Sequence, residues 1–119
     1  MKVAINHTEG SEKTGIFSKP KTYYLASFDV QLSAEELAII RERGLEDAVL
    51  LTWENPNDKF IPEIHVTVAL LIKNRGFGRR CPTPAEAKRF DAQGREALKN
   101  LKAALEENAT IGQSDSFEL

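Results

Sequence analysis

Eight consecutive residues, Lys73-Asn74-Arg75-Gly76-Phe77-Gly78-Arg79-Arg80, hold four cations, two glycines and one aromatic ring. Each type suits contact with a polyanion. Glycine lets a backbone approach phosphate, arginine grips phosphate with two parallel N–H donors, and a phenylalanine ring can stack on a base. Lys73, Arg75, Phe77, Arg79 and Arg80 are therefore the candidate binding residues. Lys88 and Arg89 follow shortly after, and a helix predicted to start at Thr83 adds a weak attraction for anions. The plainer reading of the same residues is a solvated connection whose cations keep the chain soluble or pair with surface acids. A protein partner is the third. Arg75-Gly76-Phe77-Gly78 also matches the opening of the RNA-recognition signature. That signature continues with apolar and aromatic residues on a strand, whereas Arg79, Arg80, Cys81 and Pro82 follow here. The match is set aside.

No catalytic constellation emerges. Cys81 stands just before a helix start and beside Arg79 and Arg80, and both features lower a thiol pKa. A nucleophilic thiol also needs a base, and the chain has only His7 and His65. His65 falls on the polar side of a strand with no acid fixed near it by spacing, so the thiol is read as inert. Two histidines and one cysteine, widely separated, fit no metal-ligand spacing. Gly76 and Gly78 lack the Lys-Ser/Thr of a phosphate-binding loop. Glu35, Glu36, Glu42, Glu46 and Asp47 gather around the first predicted helix and read as caps and solvated surface. The expectation is no enzyme, no metal and no cofactor.

The whole-chain arithmetic agrees with a modest role. The 119 residues suit one domain, carry 16 Lys and Arg against 18 Asp and Glu, and are 41% hydrophobic and 29% charged. A net charge of -2 gives no global pull toward nucleic acid or an anionic membrane. One cysteine forbids an intramolecular disulfide. No apolar run approaches the roughly 18 residues that span a bilayer, and the start turns polar too soon for a secretory signal. A cytoplasmic protein is expected.

The elements that must position these residues can be read from periodicity. Val3 to Ile5 starts a strand, His7 to Lys13 carries turn chemistry centred on Gly10-Ser11, and Gly15-Ile16-Phe17 makes a short return strand. Over Lys21 to Leu32, Tyr24, Ala26, Phe28, Val30 and Leu32 alternate with Ser27, Asp29 and Gln31, which predicts a strand with one buried face. Ser33 and Glu36 form a capping box, and Gly44 marks the stop of a helix from Ala34 to about Arg43. Ala48 to Glu54 and Ile64 to Lys73 read as strands joined through Asn55-Pro56-Asn57-Asp58 as a hairpin, and Asn74 to Pro82 reads as a loop. Thr83 then caps a long helix with Pro84 at its first position. Its stripe runs through Phe90, Gly94, Ala97, Leu98, Leu101, Ala104 and Leu105 and ends near Asn108. Gly94 costs about 1 kcal/mol in mid-helix, and close packing on the sheet would explain it.

The order β-β-α-β-β-α predicts an α+β domain over residues 1–108. It has a single layer of mostly antiparallel sheet, two helices on one face, and a flexible tail over 109–119. The other sheet face would carry Tyr23 and Leu25, joined by Ala69, Leu71 and Trp53, as an apolar patch suited to association. The functional expectation is a small non-enzymatic module that binds a protein partner, with self-association through this face or an edge strand. The alternative is a nucleic-acid-binding accessory protein that uses the basic segment 73–80.

Overall fold

The computed structural model describes residues 1–13, 15–16, 19–54 and 59–114, with side chains described as far as Glu106. The elements in chain order are β1 (Lys2–Glu12), β2 (Lys21–Gln31), α1 (Ala34–Arg43), β3 (Val49–Glu54), β4 (Glu63–Thr67), α2 (Val68–Asn74), β5 (Gly76–Cys81) and α3 (Pro84–Ser114). The chain is a mixed α/β fold with antiparallel sheets. Two corrections to the expected architecture stand out. There are three helices, and the sheet is two sheets: β1-β2-β5 and a separate β3-β4 hairpin.

Local signals set α1 as expected. The Ser33 hydroxyl accepts from Glu36 N at 3.1 Å while Ser33 N donates to Glu36 Oε1 at 2.9 Å. Gly44 ends the helix at φ 64, where a side chain would clash, and Leu45 N closes the cap onto Ile40 O at 2.9 Å.

The expected strand Ile64 to Lys73 stops at Thr67. From Val68 onward the same residues satisfy two periods. Val68, Leu70 and Ile72 alternate as in a strand, whereas Val68, Leu71 and Ile72 fall at helical spacing. The helix prevails: Val68 and Leu71 are fully buried and Leu70 is exposed. Thr67 caps the turn by accepting from Leu70 N at 3.2 Å. Val68 N and Ala69 N, which a helix start leaves unpaired, donate to Ala48 O at 3.0 Å and Glu46 O at 2.8 Å.

The expected loop after Asn74 is β5. Arg75 takes the left-handed conformation at φ 55, and Gly76 follows at φ 148. A Cβ on Gly76 would stand 2.0 Å from the Phe28 carbonyl oxygen, so only glycine admits the strand to β2. At the N-terminus, β1 is unbroken through the expected turn: Gly10 faces Tyr23 and Ser11 faces Thr22. The Tyr23 ring lies where a Cβ of Gly10 would go, and a cross-strand aromatic of this kind shields a strand glycine. The return strand is β2. Gly15 and Ile16 form a bend and a turn, and Phe17 lies outside the described residues, as do Asn55 to Asp58 of the expected hairpin turn. The last helix continues to Ser114, past the expected end near Asn108, so residues 109–114 of the expected tail are helical.

The core forms where α3 crosses the three-stranded sheet. Ala26, Phe28 and Val30 of β2 meet Ala87, Phe90, Ala97 and Leu98 of α3, with Leu51 and Trp53 of β3 closing one side. Gly94 lies directly over Phe28: a Cβ there would be 2.3 Å from Cε2 of that ring. The expected close approach is present, and it allows Phe28 to stack on Phe77 at 4.9 Å.

Candidate functional site

The basic segment 73–80 occupies the end of α2 and all but the last residue of β5, so its side chains diverge. Lys73 and Arg75 are exposed near the end of the sheet, and the Arg75 carbonyl accepts from Val30 N at 3.0 Å. From Gly76 onward the strand period sends alternate residues to opposite faces. Phe77 points inward, against Phe28 and, edge-on at 6.0 Å, Phe90. Its ring is part of the core and is not presented to a base. Arg79 also points inward, its guanidinium 5.8 Å from the Trp53 ring centroid. Arg80 points outward, 4.5 Å from the centroid of Tyr23 and 3.5 Å from Glu12 Oε2. Such cation–ring contacts contribute about 0.5–1 kcal/mol at exposed positions. The five candidate residues therefore lie in three places and share no surface.

A cleft of about 430 Å³ lies beside Arg79, where β3 and α3 meet β5. Arg79 and Arg89 face Glu54 and Glu86 over the Trp53 and Phe90 rings. With two charges of each sign, it offers no field of one sign to a polyanion. The Trp53 indole N–H is buried without an acceptor, so packing against Phe90, edge-on at 5.0 Å, holds the ring.

Sequence reasoning missed the partner of His7. Its Nε2 lies 2.5 Å from Asp91 Oδ2, and Asp91 also accepts from Arg95. The Arg95 hydrogen bond holds the Asp91 carboxyl below its usual range; burial opposes it and His7 assists. The residues are far apart in sequence, so only the fold reveals the pair. His65 also has neighbours: Thr52 Oγ1 at 2.9 Å and Glu63 Oε2 at 3.6 Å. Neither histidine adjoins Cys81, which pairs across the strand with Tyr24. The expected lowering of the Cys81 pKa is reversed. Burial pushes the thiol up, and Arg79 offsets only part of this. Among the described residues no group of His, Cys, Asp and Glu could hold a metal, and no helix is long and apolar enough to cross a membrane.

The remaining surface of interest is the side of the three-stranded sheet away from α3. Ala4, Asn6, Thr8, Asp29, Gly78 and Arg80 lie there and are exposed, and Asn6 Nδ2 donates to Asp29 Oδ2 at 2.9 Å. Gly76, Gly78 and Gly10 carry no side chain there and Ala4 and Ser27 little, while the Tyr23 ring covers Gly10 and Arg80 lies against that ring. Leu71 and Trp53, expected to join Tyr23 and Leu25 there, are instead buried in the core, and Ala69 lies on α2, so the apolar patch shrinks to those two half-buried residues. The face ends at β1, whose outer edge has no backbone partner among the described residues. Comparison of the chain with protein-family models, with curated proteins and with solved structures finds no match.

Proposed function

We propose that this chain is a small, non-enzymatic interaction module of the cytoplasm whose partner is a second copy of itself, engaged through the open β1 edge of the β1-β2-β5 sheet. The observation that carries the reading is the strand β1: eleven residues long, at the border of an uncovered face, with one edge unpaired among the described residues. Backbone groups on such an edge form a template for another strand. The single thiol is buried and its pKa raised, which suits a structural rather than a reactive role. The basic residues, divided among three places, give less support to nucleic-acid binding.

Size-exclusion chromatography with light scattering tests the reading. The expected result is a concentration-dependent rise from 13.3 kDa toward twice that mass. A chain that stays monomeric to high concentration would overturn it. A nucleic-acid complex that weakens with salt, and that is lost when Arg75, Arg79 and Arg80 are replaced by alanine, would move the assignment to the alternative.

A further inference from the structure

We infer that β1 pairs antiparallel with β1 of a second copy, in the register that sets Lys2 opposite Glu12, so that two three-stranded sheets become one continuous six-stranded sheet. This rests on the self-association reading and specifies its surface and geometry.

The first ground is how lightly the edge is protected. Soluble proteins normally blunt an edge strand with proline, a bulge, a short length, a mid-strand lysine or another charge turned toward the core side. β1 has only the last of these, the exposed Glu9, which the proposed register sets opposite Ile5. It contains no proline, its register against β2 runs without a shift from Lys2↔Gln31 to Glu12↔Lys21, and its one lysine is its first residue. Val3, an apolar residue on this edge, is 40% exposed. An edge this long and regular suits a strand partner.

The second ground is self-complementarity. Antiparallel pairing of a strand with its own copy sets its first residue opposite its last when the full length is used. In β1 those residues are Lys2 and Glu12, of opposite charge and on the same face. The register therefore creates two Lys–Glu pairs related by the two-fold axis. Asn6 then faces Thr8, and Ala4 faces Gly10. His7 meets His7 of the second copy at the axis. Opposed residues share parity, so the face under α3 stays continuous across the junction. Sliding the register by two residues in either direction leaves both Lys2 and Glu12 without an opposite charge facing them. The intrachain contact of Glu12 with Arg80 is long and more than half exposed, so it does not compete strongly.

Charge-swap variants of the full chain test this. Lys2→Glu and Glu12→Lys each place like charges opposite one another at both ends of the pairing. Each is expected to weaken self-association roughly tenfold in sedimentation equilibrium at low salt. An equimolar mixture of the two is expected to recover association, because each heterodimer restores both opposite-charge pairs. Circular dichroism melts establish that the variants are folded. If either is not, a mixture of Asn6→Cys and Thr8→Cys chains is expected to form an intermolecular disulfide on mild oxidation, whereas Asn6→Cys alone does not. A wild-type chain that never dimerises overturns the self-association reading and this inference with it. A wild-type dimer that ignores both charge swaps, or that cross-links only through cysteines placed outside β1, leaves self-association standing and overturns the β1 register.

Discussion

The two faces of β2 come from one strand with one backbone, yet they are built on opposite principles. Inward, Ala26, Phe28 and Val30 are buried and fitted to a ring cluster in which Phe28, Phe77 and Phe90 lie within 6.0 Å of one another. Outward, Ser27 and Asp29 meet small or polar neighbours, Asn6, Gly78, Ala4 and Gly76. The inner face is specified by packing, where each added or lost methylene is felt. The outer face is held by lighter contacts. Substitutions should therefore cost much more stability on the inner face than on the outer.

Phe90→Ala should give the largest effect, a loss of about 3–5 kcal/mol in urea unfolding, because that ring touches Phe28, Phe77 and Trp53 together. A loss below about 1 kcal/mol would show that the cluster is not the principal core. Gly94→Ala comes next. Alanine improves helix propensity by about 1 kcal/mol, but its Cβ would intrude on the Phe28 ring, which is enclosed and cannot retreat. Overpacking of about 1–3 kcal/mol should dominate; a raised melting temperature would show that α3 stands farther from the sheet than described. On the outer face, Tyr23→Ala should cost only about 1 kcal/mol through loss of the cover over Gly10 and the Arg80 contact. A cost equal to that of Phe90→Ala would erase the distinction between the faces.

The last test separates the faces by pH. The Asp91 carboxyl is held below its ordinary value by Arg95, with His7 assisting. Its stabilisation is therefore complete above the ordinary aspartate value and is lost as pH falls through the lower folded-state value. Acid titration of stability should show that loss in the wild-type chain and a shallower acid slope in Asp91→Asn. Identical slopes would mean that the His7–Asp91–Arg95 contacts do not persist in solution.

What the sequence made legible were the features with local causes. Ser33, Glu36 and Gly44 define α1 within a dozen residues, and the alternation of β2 marks its buried side because period two is unambiguous over that length. Val68 to Ile72 could not be resolved in this way, since the apolar residues fit both periods and the deciding acceptors, Ala48 O and Glu46 O, come from another part of the chain. Gly76 and Gly78 read as loop punctuation, whereas Gly76 is required by the approach of one strand to another. Cys81 shows the same limit. Its neighbours Arg79 and Arg80 are visible in the sequence and argue for a low pKa, but the burial that reverses them belongs to the fold. For the candidate site, the residue types were legible and their dispersal was not, because a strand separates neighbours that a loop would keep together.

The position of β5 in the chain bears on how the protein is made. β1 and β2 are joined by a short connection and can pair as soon as both have been synthesised. β2 must then wait for α1, β3, β4 and α2 before β5 arrives to occupy its other side, and α3 comes later still. During that interval Ala26, Phe28 and Val30 lack their cover and the hairpin has two open edges, a state that invites premature pairing between nascent chains. Delivery of β5 is the step that leaves the hairpin with one open edge, and Gly76 and Gly78, where a Cβ would press on β2, are what let β5 dock there.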